Sequence, residues 1–385
     1  MRGRDPAEEH RASTPLELLF DLTFVVAVSQ AAAELHHALS EGHTRTALAG
    51  YAAVFFAIWW AWMNFTWFAS AYDTDDVPYR LLTLLQMSGA LVLAAGVHAA
   101  FDGDFAVVVI GYVIMRVAMV TQWLRAAREH PDGRTAALLY AAGIALVQAG
   151  WIARLWVPGG WAYATFAVLA AAELTVPAWA EKRGRATSWH PGHIAERYGL
   201  FTLIVLGEVI LASLAAVQSA VTERGLSAEL LLIAIGGLLL VFSLWWIYFT
   251  GSEATLPTLR AALSWGYGHY LVFACVAAIG AGLESALDST EHHGDLSPRG
   301  AALSVAVPVA VVVLLLGVLH EMTGTGAVGH RLLVVAGAAV VLALAFSVPG
   351  IGVGGAVLGM GLAVAATLAA NLTVRHRRAM AGARA

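Results

Sequence analysis

Charge is scarce in this chain, and sulfur chemistry is almost absent. Asp, Glu, Lys and Arg make up 12% of its 385 residues, about half of what a soluble domain carries. Its one cysteine, Cys275, lies in an apolar segment. A single thiol excludes an intramolecular disulfide and any cysteine-based metal site. The formal net charge of −4 offers no basic field for a nucleic-acid partner. No P-loop, HExxH zinc motif or nucleophile elbow occurs, so neither a cofactor nor a metal is expected. The run "GIGVGG" at 350–355 has no strand before it, and its glycines read as a membrane packing face at Gly350, Gly354, Gly355 and Gly359.

What is present is apolar. Hydrophobic residues reach 59% and the mean hydropathy is +0.72, which places the chain in a membrane. The first apolar stretch follows Arg2, Arg4 and Arg11, as a secretory signal would. It is longer than the about 7–15 clean apolar residues of a signal core and carries Asp21, so it is expected to remain as a helix.

Apolar runs able to span about 30 Å of hydrocarbon fall near 15–38, 47–70, 80–101, 104–125, 134–157, 160–180, 193–218, 227–250, 260–284, 300–320, 329–348 and 350–374. They predict an all-α bundle of about twelve spans. With the N-terminus inside, seventeen of the 22 Lys and Arg fall in inside segments, and only Arg45, Arg224 and Arg299 lie outside. That bias puts both termini in the cytoplasm. Sliding the chain by 181 places Leu19, Phe20, Leu22 and Val28 on Leu200, Phe201, Leu203 and Val209, which suggests a parallel six-plus-six repeat. The expected organisation is a tail over 1–14, six-helix halves over 15–180 and 181–374, and a basic tail over 375–385.

The informative residues are the ionisable ones inside these runs. Helical periodicity puts Glu17 and Asp21 on one face of the first run. In the seventh, His193, Arg197, Ile204, Gly207 and Glu208 share a stripe with Glu196 at its edge. Arg116, Glu173 and His269 lie within three other runs. At about 1.5 Å per residue, Asp21, Arg116 and Glu173 share a depth, so Arg116 is an expected partner for one of the two acids. A charge at the bilayer centre costs at least about 2.5–3.5 kcal/mol, so these groups are expected to face the bundle interior around a shared aqueous space.

Bland readings stand beside this one. Glu17 suits the positive end of a helix. Asp21 and Arg116 suit a structural ion pair, His193, Glu196 and Arg197 a helix anchor, and His269 a hydrogen-bonded core. Pro177 and Pro308 are expected to kink their helices. "WWAWMNFTWF" at 59–68 reads as an aromatic packing stripe, and "DTDD" at 73–76 as a solvated acidic loop.

Five motifs in order, "ELLFDLTFVVAVSQ" at 17–30, "WMNFTWF…YDTD" at 62–75, "HIAERYGLFTLIVLGE" at 193–208, "WWIYF" at 245–249 and "YGHYL" at 267–271, resemble the bacterial low temperature requirement protein A family. Leu19 departs from the aromatic residue more usual before the family's Phe-Asp pair. The resemblance implies a polytopic bacterial inner-membrane protein linked by name to growth in the cold, and no established reaction. It brings forward Glu17, Asp21, His193, Glu196, Arg197, Glu208 and His269 as lying within family motifs.

The leading expectation is a secondary transporter or ion-coupled permease. In it Asp21 and Glu208 exchange protons or cations, and Arg116 sets the charge state or meets an anionic substrate. The candidate pathway residues are Asp21, Glu17, Arg116, Glu173, Glu208, His193, Glu196, Arg197 and His269. The partners expected are the lipid bilayer and an unidentified small molecule or ion. A membrane enzyme acting on a lipid or isoprenoid through His193, Glu196 and Arg197 is the alternative, as is a cold-stress membrane protein without turnover.

Overall fold

The computed structural model describes residues 1, 3–5, 8, 11–184, 187–250, 256, 258–290, 294–322 and 328–382, with side chains omitted at 219–220, 223–224, 328–329 and 377–382. Among the described residues every regular element is helical. The helices are α1 (Pro15–Ser40), α2 (Thr44–Tyr72), α3 (Val77–Ala95), α4 (Val97–Phe101), α5 (Ala106–Glu129), α6 (Arg134–Ala153), α7 (Ala162–Arg183), α8 (Pro191–Arg224), α9 (Ala228–Thr250), α10 (Leu259–Thr290), α11 (Pro298–Met322), α12 (Val328–Phe346) and α13 (Val348–Gly382).

Each of the twelve apolar runs is helical, and among the described residues eleven helices are long and apolar enough to cross a bilayer. The run at 329–348 lies in α12, whose described side chains, His330–Phe346, form a shorter apolar stretch. The run at 80–101 is broken at Gly96, where α3 gives way to the single turn of α4.

Local chemistry sets the helix starts. Thr14 and Glu17 form a reciprocal cap on α1: the Thr14 N–H donates to Glu17 Oε2 at 2.8 Å, and the Glu17 N–H donates to Thr14 Oγ1 at 3.3 Å. Asp76 caps α3 by accepting from the Tyr79 N–H at 3.0 Å, with Pro78 in the first turn. Arg11 covers the opposite kind of end. Its guanidinium donates to the carbonyls of Ala69, at 2.7 Å, and Ser70 near the end of α2, where helical carbonyls lack intrahelical partners.

The chain divides into two compact units. The first comprises Met1–Ala31 and Ala49–Arg197, the second Ala32–Leu48 and Tyr198–Ala385. In the first unit, contacts gather the start of α1, the end of α2 and the starts of α3, α6 and α8 with the ends of α5 and α7. They include Ser13–Glu196, Tyr72–His130, Asp76–Arg125 and Tyr140–Glu181. Consecutive spans therefore alternate in direction. In the second unit the ends of α9, α11 and α13 meet the start of α12 at one cleft, and the starts of α9, α11 and α13 meet the end of α10 at another.

Lipid supplies no hydrophobic drive between helices, so close packing must hold them. A Cβ at Gly111 of α5 would lie 2.5 Å from the Leu93 nitrogen of α3, and one at Gly89 would lie 2.7 Å from the Gly111 carbonyl oxygen. Gly236 and Gly361 make the same approach between α9 and α13. Of the glycines expected to form such a face, Gly354 and Gly359 pack on Glu229 and Leu344, Gly355 meets only Ile351 of its own helix, and Gly350 faces open space. Gly352 instead breaks α13, with φ +74°. Pro177 and Pro308 sit within continuous helices. Large apolar side chains such as Leu19, Leu22, Ile110 and Val117 point outward, as a lipid-facing surface requires.

Candidate functional site

A fully buried group of four ionisable side chains in the first unit lies between α1 and α8. Glu17 and Asp21, one turn apart on α1, face His193 and Arg197, one turn apart on α8, and all four are at 0% exposure. The Arg197 guanidinium uses its whole fork. Nη1 donates to Glu17 Oε1 at 2.9 Å, Nη2 to Asp21 Oδ1 at 2.5 Å, and Nε to Asp21 Oδ2 at 3.2 Å. Such planar two-carboxylate geometry suits arginine and not lysine. Asp21 takes a further hydrogen bond from Trp62 Nε1 at 2.7 Å. His193 Nε2 lies 3.2 Å from Glu17 Oε1. Its Nδ1 is buried and has no partner among the described residues.

Outward of this group, Arg11 and Asp73 approach to 3.8 Å and Arg4 and Asp73 to 3.7 Å. Burial pushes the Asp73 carboxyl above its ordinary range, helped by the negative charge of Glu17. The buried Tyr79 hydroxyl has no hydrogen-bond partner among the described residues.

A second buried network belongs to the same unit. Arg116 of α5 lies 3.8 Å from Glu173 of α7, so Glu173 is the acid that Arg116 partners, while Asp21 belongs to Arg197. Glu173 also accepts from Trp60 Nε1 at 2.7 Å, Tyr112 Oη at 3.0 Å and Trp151 Nε1 at 3.3 Å. Arg116 in turn donates to the Tyr112 hydroxyl and lies over its ring. The aromatic stripe at 59–68 is thus more than packing: Trp60 and Trp62 each supply an indole N–H to one of the two networks.

The remaining expected residues do not join these networks. Glu196 is half-buried and accepts from the Ser13 N–H at 3.1 Å. Glu208 is half-buried in the second unit, an electrostatic neighbour of Glu284, so the stripe drawn from His193 to Glu208 is divided between the units. His269 is a core histidine. Nδ1 donates to the Trp265 carbonyl at 2.8 Å, and Nε2 accepts from the Tyr248 hydroxyl at 3.1 Å. The two clefts described are both lined by second-unit residues, and neither includes a residue expected on the pathway. The "DTDD" segment is not a freely solvated loop: Asp73 is buried, Asp75 pairs with Arg80 at 2.7 Å, and Asp76 pairs with Arg125 at 2.7 Å.

Periodicity within one helix did not single out two other features. His36 of α1 bridges Glu284 at 3.1 Å and Asp288 at 2.7 Å on α10. Gln86 of α3 donates to Gln122 of α5 at 2.9 Å. An i,i+4 pair of carboxylates on one helix and an i,i+4 His-Arg pair on another was the one available signal for the α1–α8 network.

Comparison with known proteins agrees with this architecture. Residues 12–369 match the family model described as Bacterial low temperature requirement A protein. An uncharacterized protein of Rhizobium meliloti (strain 1021) is 29% identical over 291 residues, covering 69% of this chain and 67% of the relative. With eleven long apolar helices and a match over nearly its whole length, the chain is a multi-pass integral membrane protein and belongs to the bacterial low temperature requirement A family.

Proposed function

We propose that the protein is an ion-coupled permease of the bacterial cytoplasmic membrane, with the Glu17–His193 pair as its proton site. One observation carries this reading. In a fully buried group, two carboxylates meet a single guanidinium. The next charges outward, Arg4 and Arg11 against Glu8 and Asp73, are two of each sign. The group is thus one positive charge short while His193 is neutral, and an uncompensated charge among spans is expensive. A proton on His193 or Glu17, or a small cation in its place, completes the balance. Such a group gains a proton in one conformation and gives it up in another, which is the requirement for coupling.

The earlier assignment of proton exchange to Asp21 and Glu208 shifts accordingly. Asp21 is held by three donors and acts as the fixed counter-ion, while Glu17 shares the histidine. A lipid-directed enzyme would need Arg197 to meet a phosphate near the headgroups. Its guanidinium is spent on Glu17 and Asp21, which favours the permease.

The test uses purified protein in liposomes with an entrapped pH dye, challenged with a panel of inorganic cations, organic cations and organic anions. At least one solute class is expected to move protons with the wild type, and Glu17→Gln and His193→Gln are expected to abolish that movement while remaining monodisperse. Failure of every solute to move protons, or equal movement in all three proteins, would overturn the reading. The second outcome would fit a membrane protein without turnover at this group.

A further inference from the structure

We infer that the second unit carries a binding site for a phosphate anion, at the end of the bundle where α9, α11 and α13 finish and α12 begins. The site is a cleft bordered by His320 of α11, His330 of α12 and Arg375 of α13, with Thr250 of α9 and Asn371 of α13 beside them. Three basic side chains converge there, and no carboxylate is among the described residues that line it. Glu321, next in sequence to His320, is turned to Arg331 at 2.5 Å on the surface.

The hydrogen bonds orient the cleft toward an acceptor. Asn371 Nδ2 donates to the Thr367 carbonyl at 3.0 Å, which leaves Oδ1 to accept from His330 Nδ1 at 2.8 Å. His330 Nε2 is buried and has no partner among the described residues. The His320 and His330 rings lie 5.9 Å apart. A proton added to either imidazole sits near the Arg375 charge, and an anion between them offsets that repulsion. A protonated His330 donates from both nitrogens, so an oxyanion satisfies the orphaned atom and the charge together. A bound metal cation would instead face Arg375.

Size and level narrow the class. The cleft leaves about 30 Å³ open to the centre of a water-sized group, room for roughly two such groups and so for one oxyanion head. Leu368 and Leu372 continue the wall as apolar surface. Thr250 is the last residue of α9 and His320 lies in the last turn of α11, and lipid phosphates lie beyond the ends of membrane spans. Basic pockets between helix ends are suited to such head groups. The shared chemistry is a phosphate monoester or diester, carried by a lipid or free in solution.

The experiment follows the thermal unfolding of the full-length protein in mild detergent at mildly acidic pH. Phosphatidylglycerol, phosphatidylcholine and inorganic phosphate are each titrated against the wild type, Arg375→Gln, the double variant His330→Gln/Arg375→Gln, and Arg331→Gln. The last removes an exposed charge from the same end of the bundle and controls for bulk electrostatics. Phosphatidylglycerol is expected to raise Tm in the wild type and in Arg331→Gln, with an apparent affinity about tenfold weaker in the double variant, as the loss of one to two basic contacts implies. Protection by inorganic phosphate with the same Arg375 dependence would support the anion site and assign it to free phosphate. Equal affinity in the wild type and the double variant, or an equal loss in Arg331→Gln, would overturn it. Arg375 is exposed, so its single variant keeps the test decisive if the double variant does not fold.

Discussion

Arg197 and Asp21 stand 176 residues apart in the chain and meet through two hydrogen bonds, at 2.5 and 3.2 Å, with neither side chain exposed. The same guanidinium holds Glu17, so one residue of α8 binds both carboxylates of one turn of α1. Removing one partner from a buried ion group costs more than the group contributes, because the remaining charge is stranded.

Arg197→Met is therefore expected to destabilise the protein by about 3–5 kcal/mol, read as a fall in Tm of the detergent-solubilised protein. The triple variant Glu17→Gln/Asp21→Asn/Arg197→Met is expected to recover most of that loss. A triple variant less stable than Arg197→Met alone would show that the network does not strand its charges.

Glu173 accepts three hydrogen bonds and faces Arg116. An amide in its place keeps two acceptor sites and loses the charge. Glu173→Gln is expected to cost about 1–3 kcal/mol and to shift the emission of tryptophan fluorescence, since Trp60 and Trp151 both donate to this carboxylate. Unchanged emission and Tm would remove Glu173 from the stabilising network.

Asp73 gives a pH dependence of one sign. Its carboxyl is pushed up by burial, so the folded state prefers the protonated form, and stability falls as pH rises through the folded pKa. Asp73→Asn is expected to raise Tm at neutral pH, with the gain shrinking as acid protonates the wild-type side chain. A constant or reversed difference between neutral and acidic pH would contradict this.

Asp76 gives the opposite sign. Its hydrogen bonds with Arg125 pull its pKa down to about 2, so its contribution is present above the ordinary carboxylate range, about 3.9. It is lost as pH falls toward 2. Asp76→Asn retains an α3 cap and loses the ion pair. It is expected to be less stable than the wild type at neutral pH and equal to it near the acid limit. Because both partners are partly exposed, the difference should also shrink with added salt.

Gly111 tests the packing. Gly111→Ala places a methyl group against the α3 backbone and is expected to cost about 1–3 kcal/mol. Gly207→Ala meets open space and is expected to be neutral or to stabilise by about 0.5–1 kcal/mol through helix propensity. Equal Tm values for the two variants would place α3 and α5 farther apart than the structure does.

Helix content, the positions of the spans and several of the buried ionisable groups were legible from composition and periodicity. Each depends on residues within one helix, and the price of an unpaired charge in lipid marks such a residue wherever it sits. Glu196 and Glu208, however, are only half-buried, and Arg11, Glu181 and His320 were not singled out. Partner choice was not legible. Depth alone left Asp21 and Glu173 equivalent candidates for Arg116, because depth fixes one coordinate and pairing needs the two in the membrane plane. Arg197 reads locally as an anchor at a helix end, and Trp60 and Trp62 read as packing. The assembled helices turned the first into a double counter-ion and the other two into donors, since only the lateral arrangement of α1, α2, α5, α7 and α8 decides which fork reaches which carboxylate.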